Sequence, residues 1–152
     1  MPKVRMLLVA LMMGLPLSAQ AETAQDEVRA LFGRWIAAQN DHDLNGVRDA
    51  LSSSPNTLFL NGAGQVLWGR EQIVKYFEGV HKAKVKMEPD FAGWRVVMQT
   101  DNAAYFFVPV RVTLTPPGQE ARTIGNLMNG VAVKEGDRWT IIGGLPIADQ
   151  PR

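Results

Sequence analysis

Residues 28–39 read VRALFGRWIAAQ. Apolar side chains fall at Val28, Leu31, Phe32, Trp35 and Ile36, and Gln39 completes the series. That spacing makes one bulky face of an amphipathic helix. Such a face needs cover. Nearly everything beyond residue 56 carries strand signals, so the cover is a sheet, and the helix covers the sheet in turn.

Upstream, Lys3 and Arg5 precede an apolar run from Met6 to Leu17, and Ser18-Ala19-Gln20-Ala21 ends in small residues. A basic start, a short apolar core and an A-x-A ending mark a secretory signal peptide cleaved after Ala21. The run is shorter than the ~20 residues a membrane span requires. Residues 22–152 are then one domain, periplasmic or secreted, with no membrane attachment after cleavage. Two of the 16 basic residues and none of the 15 acidic ones lie in the leader. The remainder is near neutral, which gives no electrostatic basis for binding nucleic acid. The absence of Cys excludes disulfides and thiolate chemistry.

Along the domain, helix one is expected to begin at Glu22–Gln25, with Glu22, Asp26 and Glu27 matching its positive end. It runs out at Asn40-Asp41-His42. Asp43 is placed to cap a short helix, Leu44 to Leu51. Thr57–Asn61 and Gln65–Trp68 form a hairpin around Gly62-Ala63-Gly64. Arg70–His81 is a third helix with Ile73, Val74, Phe77 and Val80 on one face. Lys84–Gln99, broken by Pro89 and Gly93, opens a run of four strand segments. Ala104–Leu114 alternates strictly, apolar at even positions, with Tyr105, Phe107 and Arg111 on the other side. Arg122–Val133 holds Gly125 and Gly130 as bulge sites. Arg138–Leu145 is the last strand, and Pro146–Arg152 is a loose tail. The order α-α-β-β-α-β-β-β-β is an α+β fold, a cone-shaped curved antiparallel sheet wrapped around a long N-terminal helix.

Candidate chemistry is sparse. Asp41-His42-Asp43 is a polar inter-helix loop, and no metal site is expected because zinc needs three or four convergent ligands. No nucleophile motif is present, and no cofactor is expected. The Tyr105 and Arg111 face belongs to solvent. Asn126 and Asn129 stand in a strand, where Asn is disfavoured. Three apart, they face opposite sides unless a bulge intervenes, so at least one is expected inward. Trp68, Trp94 and Trp139 read as packing residues, and Met128 as adaptable lining.

Arg34-Trp35-Ile36, Asp43-Leu44, Thr57–Asn61 and Gly69-Arg70-Glu71-Gln72-Ile73 resemble the nuclear-transport-factor-2-like superfamily, which includes SnoaL-like polyketide cyclases and ketosteroid isomerases. The resemblance spans nearly the whole domain. It implies a conical barrel with a pocket between sheet and helices. The isomerases use a helix-one Tyr and a late acidic residue as donors to an oxyanion, and a first-strand carboxylate as base. Matching places Trp35, Asn129 and Leu60 at those positions. Trp and Asn donate hydrogen bonds, but Leu60 accepts no proton, so that chemistry is not expected. The resulting expectation is a binding domain for a small, mostly apolar molecule. Trp35 and Asn129 would orient a polar group, and Phe59, Leu60, Asn126 and Met128 would complete the site. Two alternatives stand beside it. One is a lyase, cyclase or isomerase using His42 or Asp41 at the cavity mouth. The other is a homodimeric interaction module that pairs through an outer face carrying Tyr105, Phe107 or Trp94.

Overall fold

The computed structural model describes residues 17–149, with side chains from residue 23 onward. Residues 1–16 of the expected leader lie outside the described residues, and the expected cleavage point, Ala21–Glu22, falls within the first helix.

Helix α1 spans Leu17–Asn40. It starts earlier than Glu22 because Ser18–Gln25 is rich in Ala and Gln, residues with good helix propensity. Asp26 and Glu27 therefore sit in its interior. Glu27 does other work, accepting the Trp139 indole N–H at 2.8 Å. Val28, Leu31, Phe32, Trp35 and Ile36 are all buried. Burying a side chain the size of Phe32 stabilises by roughly 1.5–3 kcal/mol. The helix ends in a turn where His42 takes φ +55°. Asp43 then caps α2, Leu44–Ala50, its carboxylate accepting Asn45 and Gly46 N–H at 3.1 and 3.0 Å. Helix α3 spans Arg70–Val80 and buries Ile73, Val74 and Phe77.

The strands are β1 (Leu58–Leu60), β2 (Val66–Trp68), β3 (Lys84–Pro89), β4 (Arg95–Gln99), β5 (Ala103–Thr115), β6 (Arg122–Glu135) and β7 (Arg138–Ala148). They form one unclosed sheet in the order β2-β1-β7-β6-β5-β3, with β4 also on β5. Lys84–Gln99 is thus two strands rather than one, paired in turn along the same long β5. The sheet is mixed rather than purely antiparallel, because β1 runs parallel to β7 through Leu58↔Gly143 and Phe59↔Gly144. The even positions Ala104 to Val112 are buried on the concave face. There Phe106 meets Phe32 edge-on at 5.4 Å and Trp94 in a stack at 4.9 Å.

The glycines act differently from the bulges expected of them. Gly125 and Gly130 pair in unbroken register with β5. The irregularity lies across β6 and β7, between Val131 and Ala132. Gly130 is small because Phe106 occupies its side-chain space: a Cβ there would stand 2.2 Å from the ring. The tail is also more ordered than expected. Pro146 to Ala148 continue β7 opposite Met128 to Asn126, and Asp149 N–H reaches Gly125 C=O at 2.8 Å. Trp68 is the exception among the tryptophans. It is 56% exposed on β2, the edge strand of the sheet.

Candidate functional site

A cavity of about 280 Å³ lies between the concave sheet face and helices α1 and α3. Trp35 enters from α1. Tyr76, Phe77 and Val80 come from α3, and Phe59 and Asn61 from the β1 hairpin. The sheet side is built in cross-strand rows. Met128 pairs with Pro146, Asn126 with both Val110 and Ala148, and Ile124 with Val112. Phe59 reaches the wall because Gly144 leaves room beneath its ring, where a Cβ would stand 2.7 Å away.

Four of the expected site residues meet here: Trp35, Phe59, Asn126 and Met128. Two do not. Leu60 alternates with Phe59 in a regular strand, so it turns off the wall, and Asn61 takes the inward place. Asn129 lies on the outer face beside Phe107 and Leu145. Its Oδ1 accepts the Tyr105 hydroxyl at 2.8 Å. The strand is regular at that point, so Asn126 and Asn129 face opposite sides. Trp94 is also reassigned, from the outer face to the core beside Phe32 and Phe106. Asp41 and Asp43 border a separate hollow between α1, α2 and the start of β7, together with Arg34, Asp49 and Arg138. They are not at the mouth of the apolar cavity. His42 stacks on His81 at 4.7 Å. No cluster of three or more metal-binding side chains gathers among the described residues.

The wall is electrostatically quiet. Among the described lining residues none is Asp, Glu, Lys, Arg or His. Tyr76 is the titratable one, and burial pushes its pKa above the usual value, with hydrogen bonding from Asn61 partly offsetting this. Asn61 is itself tied down. Its Oδ1 accepts the Ala63 and Gln65 N–H groups at 3.0 and 2.9 Å, and its Nδ2 donates to Gln65 Oε1 at 3.1 Å. Trp35, 4% exposed, carries an indole N–H with no partner among the described residues. One turn along α1, Gln39 is fully buried. Its Oε1 meets His81 Nε2 at 2.8 Å, and its Nε2 is unpartnered. His81 is held below the usual imidazole range by burial and by the neighbouring His42.

The sequence profile of the SnoaL-like domain matches residues 28–143. The chain belongs to the SnoaL-like domain family. The match runs from the first buried residue of α1 into β7, so it contains the cavity apart from its last rim residues. Solved structures share the fold of this SnoaL-like domain. A Xanthomonas campestris protein named as a calcium/calmodulin dependent protein kinase II association domain is 27% identical over 81% of this chain and 86% of its own, with a TM-score of 0.70. A nuclear transport factor 2-like superfamily protein from Salmonella enterica is 19% identical over 86% and 94%, at 0.77. A Novosphingobium aromaticivorans protein named as a scytalone dehydratase is 7% identical over 88% and 89%, at 0.79. No curated protein matches the sequence. Fold and superfamily are therefore those the sequence resembles. Fold does not carry function with it; function follows from what the cavity can hold.

Proposed function

We propose that this SnoaL-like domain binds one small, uncharged, largely apolar molecule in the cavity between its sheet and helices. The observation that carries this is the wall: an apolar and aromatic pocket with a few polar groups, the usual form of a small-molecule site. The unpaired Trp35 N–H adds support, since a buried donor without a partner costs stability that a bound acceptor would recover. The described wall speaks against base-driven isomerase chemistry, because no carboxylate or imidazole is among its lining residues and neither Leu60 nor the Asn61 amide takes up a proton. A lyase or isomerase role would fall to Tyr76 as an acid. A thermal-shift screen of neutral apolar compounds tests the binding reading, since a bound ligand raises the melting temperature by mass action. A broad library without one stabilising compound would count against it.

Two further features belong to the reading. The leader in residues 1–21 would send the domain to the periplasm or outside the cell. Intact-mass measurement of protein from its native host should give a chain beginning at Glu22, and an unprocessed chain would refute export. The outer sheet face would pair two copies of the domain. Tyr105, Phe107, Leu127, Leu145 and Ile147 share that face by register, and Ile147 is 56% exposed. Sedimentation at rising concentration should show a dimer that Leu127→Asp dissociates. A wild-type monomer throughout would rule pairing out.

A further inference from the structure

We propose that Asn61-Gly62 is a site of self-modification, where the Asn61 side-chain amide is lost as ammonia and a carboxylate takes its place on the cavity wall. The proposal stands whether or not the cavity holds a ligand.

The chain contains the Asn-Gly pair at 45–46, 61–62 and 129–130. In each pair the glycine nitrogen can close a five-membered ring on the asparagine Cγ. Glycine favours this because it brings no Cβ against the closing ring. Such an intramolecular attack needs a free nucleophile held beside an electrophilic carbonyl. The fold withholds the nucleophile at two of the pairs. Gly46 N–H donates to the Asp43 carboxylate at 3.0 Å, in the first turn of α2. Gly130 lies in β6 opposite Phe106 of β5 and Gly144 of β7. The N–H groups of such an interior strand are directed at its neighbours.

The turn after β1 is arranged differently. Asn61 N–H donates to Gln65 C=O at 3.0 Å, and Gly64 N–H to Asn61 C=O at 2.9 Å. Ala63 and Gln65 N–H converge on Asn61 Oδ1 at 3.0 and 2.9 Å. Within residues 61–65, Gly62 alone has an N–H without a partner among the described residues, and it is exposed. The two donors on Oδ1 draw electron density from Cγ and stabilise the negative charge that forms on the oxygen during attack, as an oxyanion hole does. Nδ2 donates to Gln65 Oε1 at 3.1 Å, which keeps the amide from turning away.

The step balances with water alone. Hydroxide removes the Gly62 amide proton. The nitrogen's electron pair then bonds to Cγ, and the C=O pair moves onto Oδ1. Its return breaks the Cγ–Nδ2 bond, and the nitrogen takes a proton from water and leaves as ammonia, regenerating hydroxide. Water opens the succinimide at the side-chain carbonyl to give Asp, or at the main-chain carbonyl to give isoaspartate. Either product puts a negative charge on a wall whose described lining holds none.

The test holds the folded domain in mildly alkaline buffer beside a sample unfolded in urea. Peptide mapping by mass spectrometry follows the three pairs and separates Asp from isoaspartate. The unfolded chain should convert at all three. The folded protein should convert at Asn61 while Asn45 and Asn129 are retained. Gly62→Ala tests the nucleophile. An added Cβ there meets nothing within 4 Å, and Gly62 is not among the positive-φ glycines, so the variant fits the turn. Its melting temperature is checked first, and its folded form should lose most of the conversion at Asn61. Retention of Asn61 in the folded protein, conversion there no faster than at Asn45 or Asn129, or an undiminished rate in Gly62→Ala would each overturn the proposal.

Discussion

Asn61 and Asn129 show how the same side chain differs in weight with its surroundings. Asn61 is 8% exposed and saturates the hairpin turn beside the cavity. Asn129 sits on the outer face, where water replaces any bond it loses. Asn61→Ala should destabilise by about 1–3 kcal/mol, because two backbone N–H groups lose their acceptor in a poorly hydrated place. Asn129→Ala should cost less than about 1 kcal/mol. Urea denaturation of the two variants checks the ranking, and equal losses would contradict it. Alternation was the signal for both positions. Neighbours in a strand face opposite sides, so Phe59 and Leu60 could not both line a wall. With Phe59 inside, Asn61 follows. Tyr76 was legible too, three residues after Ile73 and four before Val80 on the buried face of α3. The unpaired state of Trp35 was not legible, because it depends on what every neighbouring element brings to it.

At the scale of elements, α1 and α3 meet through the Gln39–His81 contact and the His42 stack. Burial first, and then His42, lower the His81 pKa below its ordinary 6.5. The folded chain therefore refuses a proton that the unfolded chain accepts. This contribution is fully present above pH 6.5 and is lost as pH falls from there through the lowered folded value. His81→Asn should flatten the fall in melting temperature between pH 7.5 and 5.5. An unchanged slope would show that His81 plays no part in it. Strand β6 gives a second case. Gly130→Ala places a methyl group inside the Phe106 ring contact, and overpacking of that kind costs about 1–3 kcal/mol. Chemical denaturation reads the loss, and a neutral result would mean that Phe106 moves freely. Element types were legible from period and punctuation. The role of Gly130 was not, since glycine marks either a bulge or a close approach, and only the partner across the sheet distinguishes the two.

For the molecule as a whole, the α+β cone was legible because the helix stripe and the β5 alternation each demand the other. The mixed sheet was not, since nothing local in Leu58–Leu60 says which strand it joins. That parallel seam between β1 and β7 also bears on how the chain reaches its fold. Leu58 and Gly143 are separated by more than half the polypeptide, and no turn brings them together. The β5–β6 and β6–β7 pairs close by local hairpins, whereas β1 must wait for the last strand to exist. Non-local pairing is slow because loop entropy is lost before any contact repays it. Pulsed hydrogen exchange during refolding should find β1 amides protected after those of β5 and β6, and simultaneous protection would contradict this order. A ribosome-bound chain ending before residue 143 would then hold its β1 hairpin unseated, while Phe106 of β5 can already cover Phe32 of α1. A polypeptide that must cross a membrane unfolded would gain time from such late closure.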